Sequence, residues 1–310
     1  MAGTAAQILV IKLGALGDIV QATGPFSAIR AHHSDAHITL LTTAPYADFL
    51  ASSGWFDAVH CDTRPGWRKL RGWLSLRRWL RAVGFTRVYD LQTSNRTGLY
   101  YRLFWPGPMP EWSGVVLGCS HPHTNPHRDD MHSVDRQAEQ LVMAGIGKVY
   151  PTSLDWVEAD VARYDLPARY ALIVAGGSAH RPEKRWPAGR FAQLARRLAE
   201  RQITPLLIGT RAEAEVNAMI ATFCPQARDL TGETGFAEIV ALARGALAAV
   251  GNDTGPMHLV ATAGAPSLVL FSSFSDPALC APRGRDVQVL RPPLLAELTV
   301  DEVEAALRLR

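Results

Sequence analysis

Cysteine is scarce and unpaired in this sequence: Cys61, Cys119, Cys224 and Cys280 stand far apart and form no CxxC motif. Reduced thiols in a cytosolic protein are the expectation. Long apolar runs are missing too. The longest stretch without Asp, Glu, Lys or Arg is Thr254 to Ser275, and Gly255, Pro256, Gly264 and Pro266 interrupt it. It therefore predicts a helix followed by a strand, not a membrane span. Met1 to Ala6 carries no Lys or Arg, so no secretory signal is expected. No GxSxG occurs, which argues against a nucleophile elbow. No GxxxxGK[ST] occurs, so there is no Walker loop. No two aspartates stand two positions apart, which removes the acid pair that commonly holds a divalent ion in sugar-nucleotide enzymes. An excess of one charge sign is lacking as well. The net charge is +3, and nothing in that total demands nucleic acid.

What is present is an alternation of short β-branched runs with helical stretches. Ile8 to Ile11, His37 to Leu41, Ala58 to His60 and Val88 to Leu91 read as strands, with a helix from about Ile19 to His32. A Pro-rich stretch, 106–128, weakens the pattern, with one strand expected at Val115 to Leu117 and a helix over Val134 to Ala144. The alternation restarts at Tyr170 to Val174 and continues to a last helix over Val300 to Leu309. Such alternation predicts an α/β fold with parallel sheets covered on both faces. At roughly 100–200 residues per domain, 310 residues suggest two domains. The expected boundaries are 1–155, 156–298 and a C-terminal helix, 299–310, packing back on the first domain. Ligands of such sheets bind beyond the carboxyl ends of strands, so a cleft between the domains is the expected site.

Three motifs sit at such ends. The first is Lys12-Leu13-Gly14-Ala15-Leu16-Gly17-Asp18, where Gly14 and Gly17 permit a tight turn and close backbone approach. Asp18 then either caps the following helix or acts as a general base. The second is Asn252-Asp253-Thr254-Gly255-Pro256-Met257-His258. Pro256 suits a first helical turn, and free amides at Thr254 and Gly255 would suit a diphosphate. A capped turn without a ligand accounts for the same residues. The third is Gly176-Gly177-Ser178 followed by Lys184-Arg185-Trp186-Pro187, in which Lys184 offers a point charge to phosphate or is an ordinary solvated cation.

Between Arg64 and Arg81 the chain holds seven Arg and Lys residues and no acid, interleaved with Trp67, Trp73 and Trp79. On a helical wheel Trp73, Leu76, Leu80 and Val83 share one face, and Arg71, Arg77, Arg78 and Arg81 lie opposite. This predicts either a helix with a solvated Arg face or contact with an anionic acceptor or membrane surface. Single-stranded nucleic acid ranks lower, because no basic track continues elsewhere. His121, His123, His127 and His132 fit no standard zinc spacing and are expected to be solvated or acceptor-facing.

Taken together, Ile8-Leu9-Val10-Ile11-Lys12-x-Gly14-x-x-Gly17-Asp18, then Lys184-Arg185-Trp186-Pro187 with Phe191 and Leu194, then Asn252 to Ala261 with Gly264-Ala265-Pro266 and Leu270-Phe271, resemble glycosyltransferase family 9. These are the ADP-heptose:lipopolysaccharide heptosyltransferases. The resemblance implies a GT-B fold of two Rossmann-like domains facing across a cleft, and inverting, metal-independent transfer from a nucleotide-activated heptose. It implies Asp18 as the base, with Gly14, Gly17, Gly177, Ser178, Lys184, Asp253, Thr254, Gly255 and His258 on the donor side. Lys12, Arg71, Arg77, Arg78 and Arg81 would meet the acceptor, held by the N-terminal domain. ADP-heptose and an anionic glycolipid are the implied substrates of a cytoplasmic enzyme in peripheral contact with the inner membrane, with no metal cofactor and no nucleic acid. The alternatives are another GT-B enzyme, such as a UDP-sugar transferase or an epimerase, and a non-catalytic nucleotide- or glycan-binding protein.

Overall fold

The computed structural model describes residues 5–177 and 182–310. The chain divides into two compact units, Met1–Thr152 and Ser153–Arg310. In the first, the strands are β1 (Gln7–Ile11), β2 (His37–Thr42), β3 (Ala58–Cys61), β4 (Arg87–Asp90), β5 (Glu111–Gly114) and β6 (His121–Pro122). Its helices are α1 (Leu16–Gln21), α2 (Thr23–His32), α3 (Ala44–Ala51), α4 (Leu70–Val83), α5 (Asn95–Arg102) and α6 (Ser133–Met143). The strand order is β3-β2-β1-β4-β5-β6 and every pairing is parallel.

The second unit repeats the plan. Its strands are β7 (Tyr170–Val174), β8 (Thr204–Leu207), β9 (Arg228–Asp229), β10 (Ala248–Asn252), β11 (Ser267–Leu270) and β12 (Val287–Leu290). Its helices are α7 (Ala188–Glu200), α8 (Ala214–Phe223), α9 (Phe236–Gly245), α10 (Gly255–Thr262), α11 (Pro277–Cys280) and α12 (Val300–Ala306). The order β12-β11-β10-β7-β8-β9, again all parallel, is the same topology as in the first sheet. Both are the doubly wound Rossmann order, in which the chain reverses direction across the sheet between the first and fourth strands of the unit. That switch point lies between β1 and β4 in one unit and between β7 and β10 in the other. β7 and β10 are buried end to end, and β1 and β2 at every residue but their first, as expected of sheets covered on both faces.

Two expectations from sequence shift. Val115 to Leu117 is not a strand: β5 ends at Gly114, and Leu117 is 96% exposed in a turn completed by Gly118 at φ +86°. An apolar triplet there mimics a strand, but the left-handed glycine turns the chain out of the sheet. The first helix starts at Leu16 and not at Ile19, so Gly17 and Asp18 lie inside its first turn. The C-terminal helix packs into the core of its own unit. Val303 is fully buried beside Leu198, and Arg197 on α7 pairs with Asp301 at 2.6 Å and Glu304 at 2.7 Å on α12. No helix among the described residues is long and apolar enough to cross a membrane.

Candidate functional site

In the first unit the switch point gathers ionisable groups. Lys12 follows β1 and is 5% exposed, and its Nζ donates to the Leu91 carbonyl at 3.1 Å. Burial pulls its pKa down, opposed by the charges of Asp18 and Asp90 and reinforced by Arg136. Gly14 takes φ +115°, and a Cβ there would stand 2.6 Å from the Tyr46 ring, so only glycine fits under that tyrosine. Asp18 is the third residue of α1. Its Oδ2 accepts the Ala15 N–H at 3.1 Å, so the carboxylate does cap its own helix. The cap uses one oxygen of the half-buried carboxylate, and its charge reaches Lys12, Arg136 and the Tyr46 hydroxyl. Capping and base chemistry are therefore compatible in this residue.

Asp90 ends β4 on the other side of the switch point. It is 1% exposed and accepts the amides of Gln92 at 3.1 Å and Thr93 at 2.9 Å. Burial pushes its pKa up to about 6, with those hydrogen bonds and Lys12 pulling the other way. Motif reading missed Asp90 as a member of this cluster, and it missed Arg136, on α6. The only signal for it was its place in the first turn after His132, whose Nδ1 accepts the Val134 N–H at 3.2 Å and starts the helix.

The four histidines have four separate surroundings. His121 meets Arg87 at 3.0 Å, buried His123 pairs with Glu139 at 2.8 Å, exposed His127 lies 3.6 Å from Asp130, and His132 caps α6. Among the described residues, no three His, Cys, Asp or Glu side chains converge as a metal site.

The basic helix separates its arginines. In a crossover from β3 to β4, α4 runs antiparallel to the strands, so its first turn lies at their carboxyl ends and its last at their amino ends. At 1.5 Å per residue, Arg81 is roughly 15 Å along the axis from Arg71. Arg77 is committed elsewhere, donating to the carbonyls of Leu103 at 3.2 Å and Trp105 at 3.0 Å. Of the four, exposed Arg71 is the one placed at the carboxyl end. Arg78 and Arg81 are exposed farther down the helix, and the structure brings neither they nor Arg77 to Asp18.

In the second unit the centre is Asn252, fully buried at the end of β10. Its Oδ1 accepts the Trp186 N–H at 2.9 Å, and its Nδ2 donates to the carbonyls of Ala175 at 2.9 Å and Gly176 at 3.0 Å. One side chain thus ties together the chain leaving β7, the Lys184-Arg185-Trp186 segment and the start of the Asp253 turn. Lys184 donates to the Ser275 hydroxyl and lies 3.6 Å from Asp253 Oδ2. Arg185 donates to the Gly177 carbonyl at 2.8 Å. Ser178 lies outside the described residues.

Thr254 is extended at φ −147° and precedes α10, which begins at Gly255 with a proline in its first turn. In the first turn Pro256 has no N–H and Met257 donates to the Thr254 carbonyl at 3.1 Å, which leaves the Gly255 amide as the donor at this strand end. The Thr254 hydroxyl is buried without a partner among the described residues. His258 sits on the same first turn, 6% exposed. Lys184, Asp253, Thr254, Gly255 and His258 are thus brought to one end of the sheet, and Gly177 joins them through Arg185. Motif reading missed Glu213. A Cβ on Gly176 would stand 2.6 Å from its Cγ, which places this acid against the chain leaving β7. The signal was there: Thr210-x-x-Glu213 is a capping box, with Glu213 accepting from the Thr210 amide at 2.8 Å.

Residues 73–302 match the model of glycosyltransferase family 9 (heptosyltransferase). Lipopolysaccharide heptosyltransferase 2 of Salmonella typhimurium is 31% identical over 320 aligned positions, covering 92% of this chain and 88% of that protein. The Escherichia coli K12 protein of the same name is 23% identical over the same shares. Among solved structures, the glycosyl transferase family 9 protein of Veillonella parvula superposes with a TM-score of 0.79 at 20% identity, over 97% of this chain and 95% of that one. E. coli heptosyltransferase WaaC with ADP gives a TM-score of 0.74 at 20% identity, over 96% and 98%.

Proposed function

The chain belongs to glycosyltransferase family 9, and on that premise we propose that it transfers a heptose from ADP-heptose to an anionic sugar acceptor of the lipopolysaccharide-core type, with Asp18 as general base. The observation that carries the reading is the cluster at the β7–β10 switch point: Lys184, Asp253 and the amide-bearing start of α10, tied together by Asn252. A cation beside the positive end of a helix suits a departing nucleoside diphosphate. On the other side of the reaction, the acceptor hydroxyl loses its proton to Asp18 as its oxygen attacks the anomeric carbon. The C–O bond to ADP breaks as the new bond forms, which inverts the anomeric configuration. Lys12 and Arg136, whose charges reach Asp18, offer positive charge to an acidic acceptor. No metal takes part in the proposed step; Lys184 and the helix start supply the charge that a divalent ion would. The enzyme is cytoplasmic and works against the inner face of the membrane that anchors its acceptor.

The test is thermal unfolding with ADP, UDP and GDP, each with and without a chelator. At a hundred-fold excess over Kd, a bound nucleotide adds about 2.7 kcal/mol of stability. ADP is expected to raise Tm, the other two to leave it near its starting value, and the chelator to change nothing. Stabilisation by UDP but not ADP would move the assignment to a UDP-sugar enzyme.

Lys184→Ala is the matching variant. Hydrogen bonds to charged groups contribute about 1.5–3 kcal/mol, so its Kd for ADP should rise roughly ten- to a hundred-fold. Isothermal titration calorimetry measures this directly, and an unchanged Kd would remove Lys184 from the phosphate site.

A further inference from the structure

The start of α4 shows apolar side chains to solvent where a helix on a sheet normally shows polar ones. Trp67 is 73% exposed, Leu70 69% and Leu74 48%. Leu70 and Leu74 are one turn apart on a single face, and the opposite face buries Leu76 and Leu80 in the core.

Exposed Trp67 is held by packing. It stacks on Trp73 with centroids 6.1 Å apart, Trp73 meets Tyr100 edge-on at 5.9 Å, and the Arg96 guanidinium covers Trp73 at 5.5 Å. Arg96 also donates to the Pro65 carbonyl at 3.2 Å, and buried Asp62 accepts from Tyr100 and from the Arg64 amide. The turn before α4 is thus a fixed projection that presents an indole outward.

Around these apolar groups stand exposed Arg68, Lys69, Arg71 and Arg78. No Asp or Glu occurs from Thr63 to Tyr89, so nothing within the segment offsets that charge. An apolar wedge rimmed by uncompensated cations matches an anionic lipid interface, where indole and leucine enter the headgroup boundary and cations meet phosphates.

We infer that the turn before α4 and its first two turns form a docking surface for an anionic phospholipid bilayer. The surface has a useful position. It follows β3, and β3, β2 and β1 are neighbours in the sheet, so it lies at the same carboxyl edge as Asp18, two strands away. At about 4.8 Å per strand, roughly 10 Å separates the two strands. Docking there brings the membrane to the end of the unit that carries the base. The inference rests on the functional reading above only in taking the acceptor to be lipid-anchored.

The experiment is flotation of the full chain with vesicles of phosphatidylglycerol and phosphatidylethanolamine, against vesicles of phosphatidylcholine, with neither donor nor acceptor present. The wild type should float with the anionic vesicles, less at high salt, and not with the neutral ones. Trp67→Ser combined with Leu70→Ser and Leu74→Ser should lower partition at least ten-fold, with an unchanged circular dichroism spectrum. The same variant should keep its rate on a deacylated, water-soluble acceptor. Arg68→Gln with Lys69→Gln should weaken partition roughly five-fold per cation. A wild type that stays behind, or a triple variant that floats as well as the wild type, overturns the proposal. So does a triple variant that floats normally yet loses the soluble acceptor, which would make the patch a glycan contact. Failure of the ADP-heptose reading would leave flotation untouched, because the vesicles contain neither substrate.

Discussion

Asp18→Asn is expected to lower kcat by about a thousand-fold, within the range of roughly 10²–10⁴ that a positioned general base contributes, while the Kd for ADP and the melting temperature stay close to wild type. The capping geometry makes this substitution discriminating. Asp18 Oδ2 accepts the Ala15 N–H, and an asparagine carbonyl oxygen can accept the same bond. The helix start is therefore preserved while the group that takes the proton is lost. Asp18→Ala removes both functions and should add a stability loss of about 1 kcal/mol, the usual cost of deleting a cap. Steady-state transfer assays, ADP titration and thermal unfolding of the two variants separate the roles. If Asp18→Asn retained full transfer, the residue would be a helix cap and nothing more.

The sequence carried the positions of these groups better than their neighbours. Strand ends were legible where short β-branched runs stop before glycines: Val10-Ile11 before Gly14, Ile173-Val174 before Gly176. The two-fold repetition of the alternation announced two doubly wound units. Strand order was not legible, since no pattern within a strand says which other strand lies beside it. The switch points, and so the placing of Asp90 beside Ile11 at the strand end that leads to Asp18, emerged only from the register of β1 with β4. The start of α1 was missed because its N-cap is Ala15, which has no side-chain acceptor to advertise a helix. Arg77 looked like any other arginine on the wheel. Its partners are backbone carbonyls 26 and 28 residues away, which periodicity cannot show.

Asn252 illustrates the same limit from the other side: it stood within a motif, but its importance comes from geometry. A buried amide has an acceptor oxygen and two donor hydrogens, and here Oδ1 takes the Trp186 amide while Nδ2 serves the carbonyls of Ala175 and Gly176. Asn252→Ala therefore strands one N–H and two C=O groups in a site with no exposure. Each buried group left unsatisfied costs about 1–3 kcal/mol, so a loss of several kcal/mol is expected, less whatever water recovers. The result should be a fall in Tm of more than ten degrees, at roughly 2–4 °C per kcal/mol for a unit of this size. Donor affinity should fall with it for a separate reason. Lys184 precedes Trp186 by two residues, and Asp253 and the start of α10 follow Asn252 directly, so freeing the three segments removes the register that sets Lys184 3.6 Å from Asp253. Asn252→Asp keeps the oxygen that accepts from Trp186 but sets a second oxygen against the two carbonyls, and it should be worse than alanine above the aspartate pKa. Measuring Tm and the Kd for ADP in both variants checks the assignment. If both variants bound ADP with wild-type affinity and melted within a degree or two of wild type, Asn252 would not be what joins the strand ends of this unit.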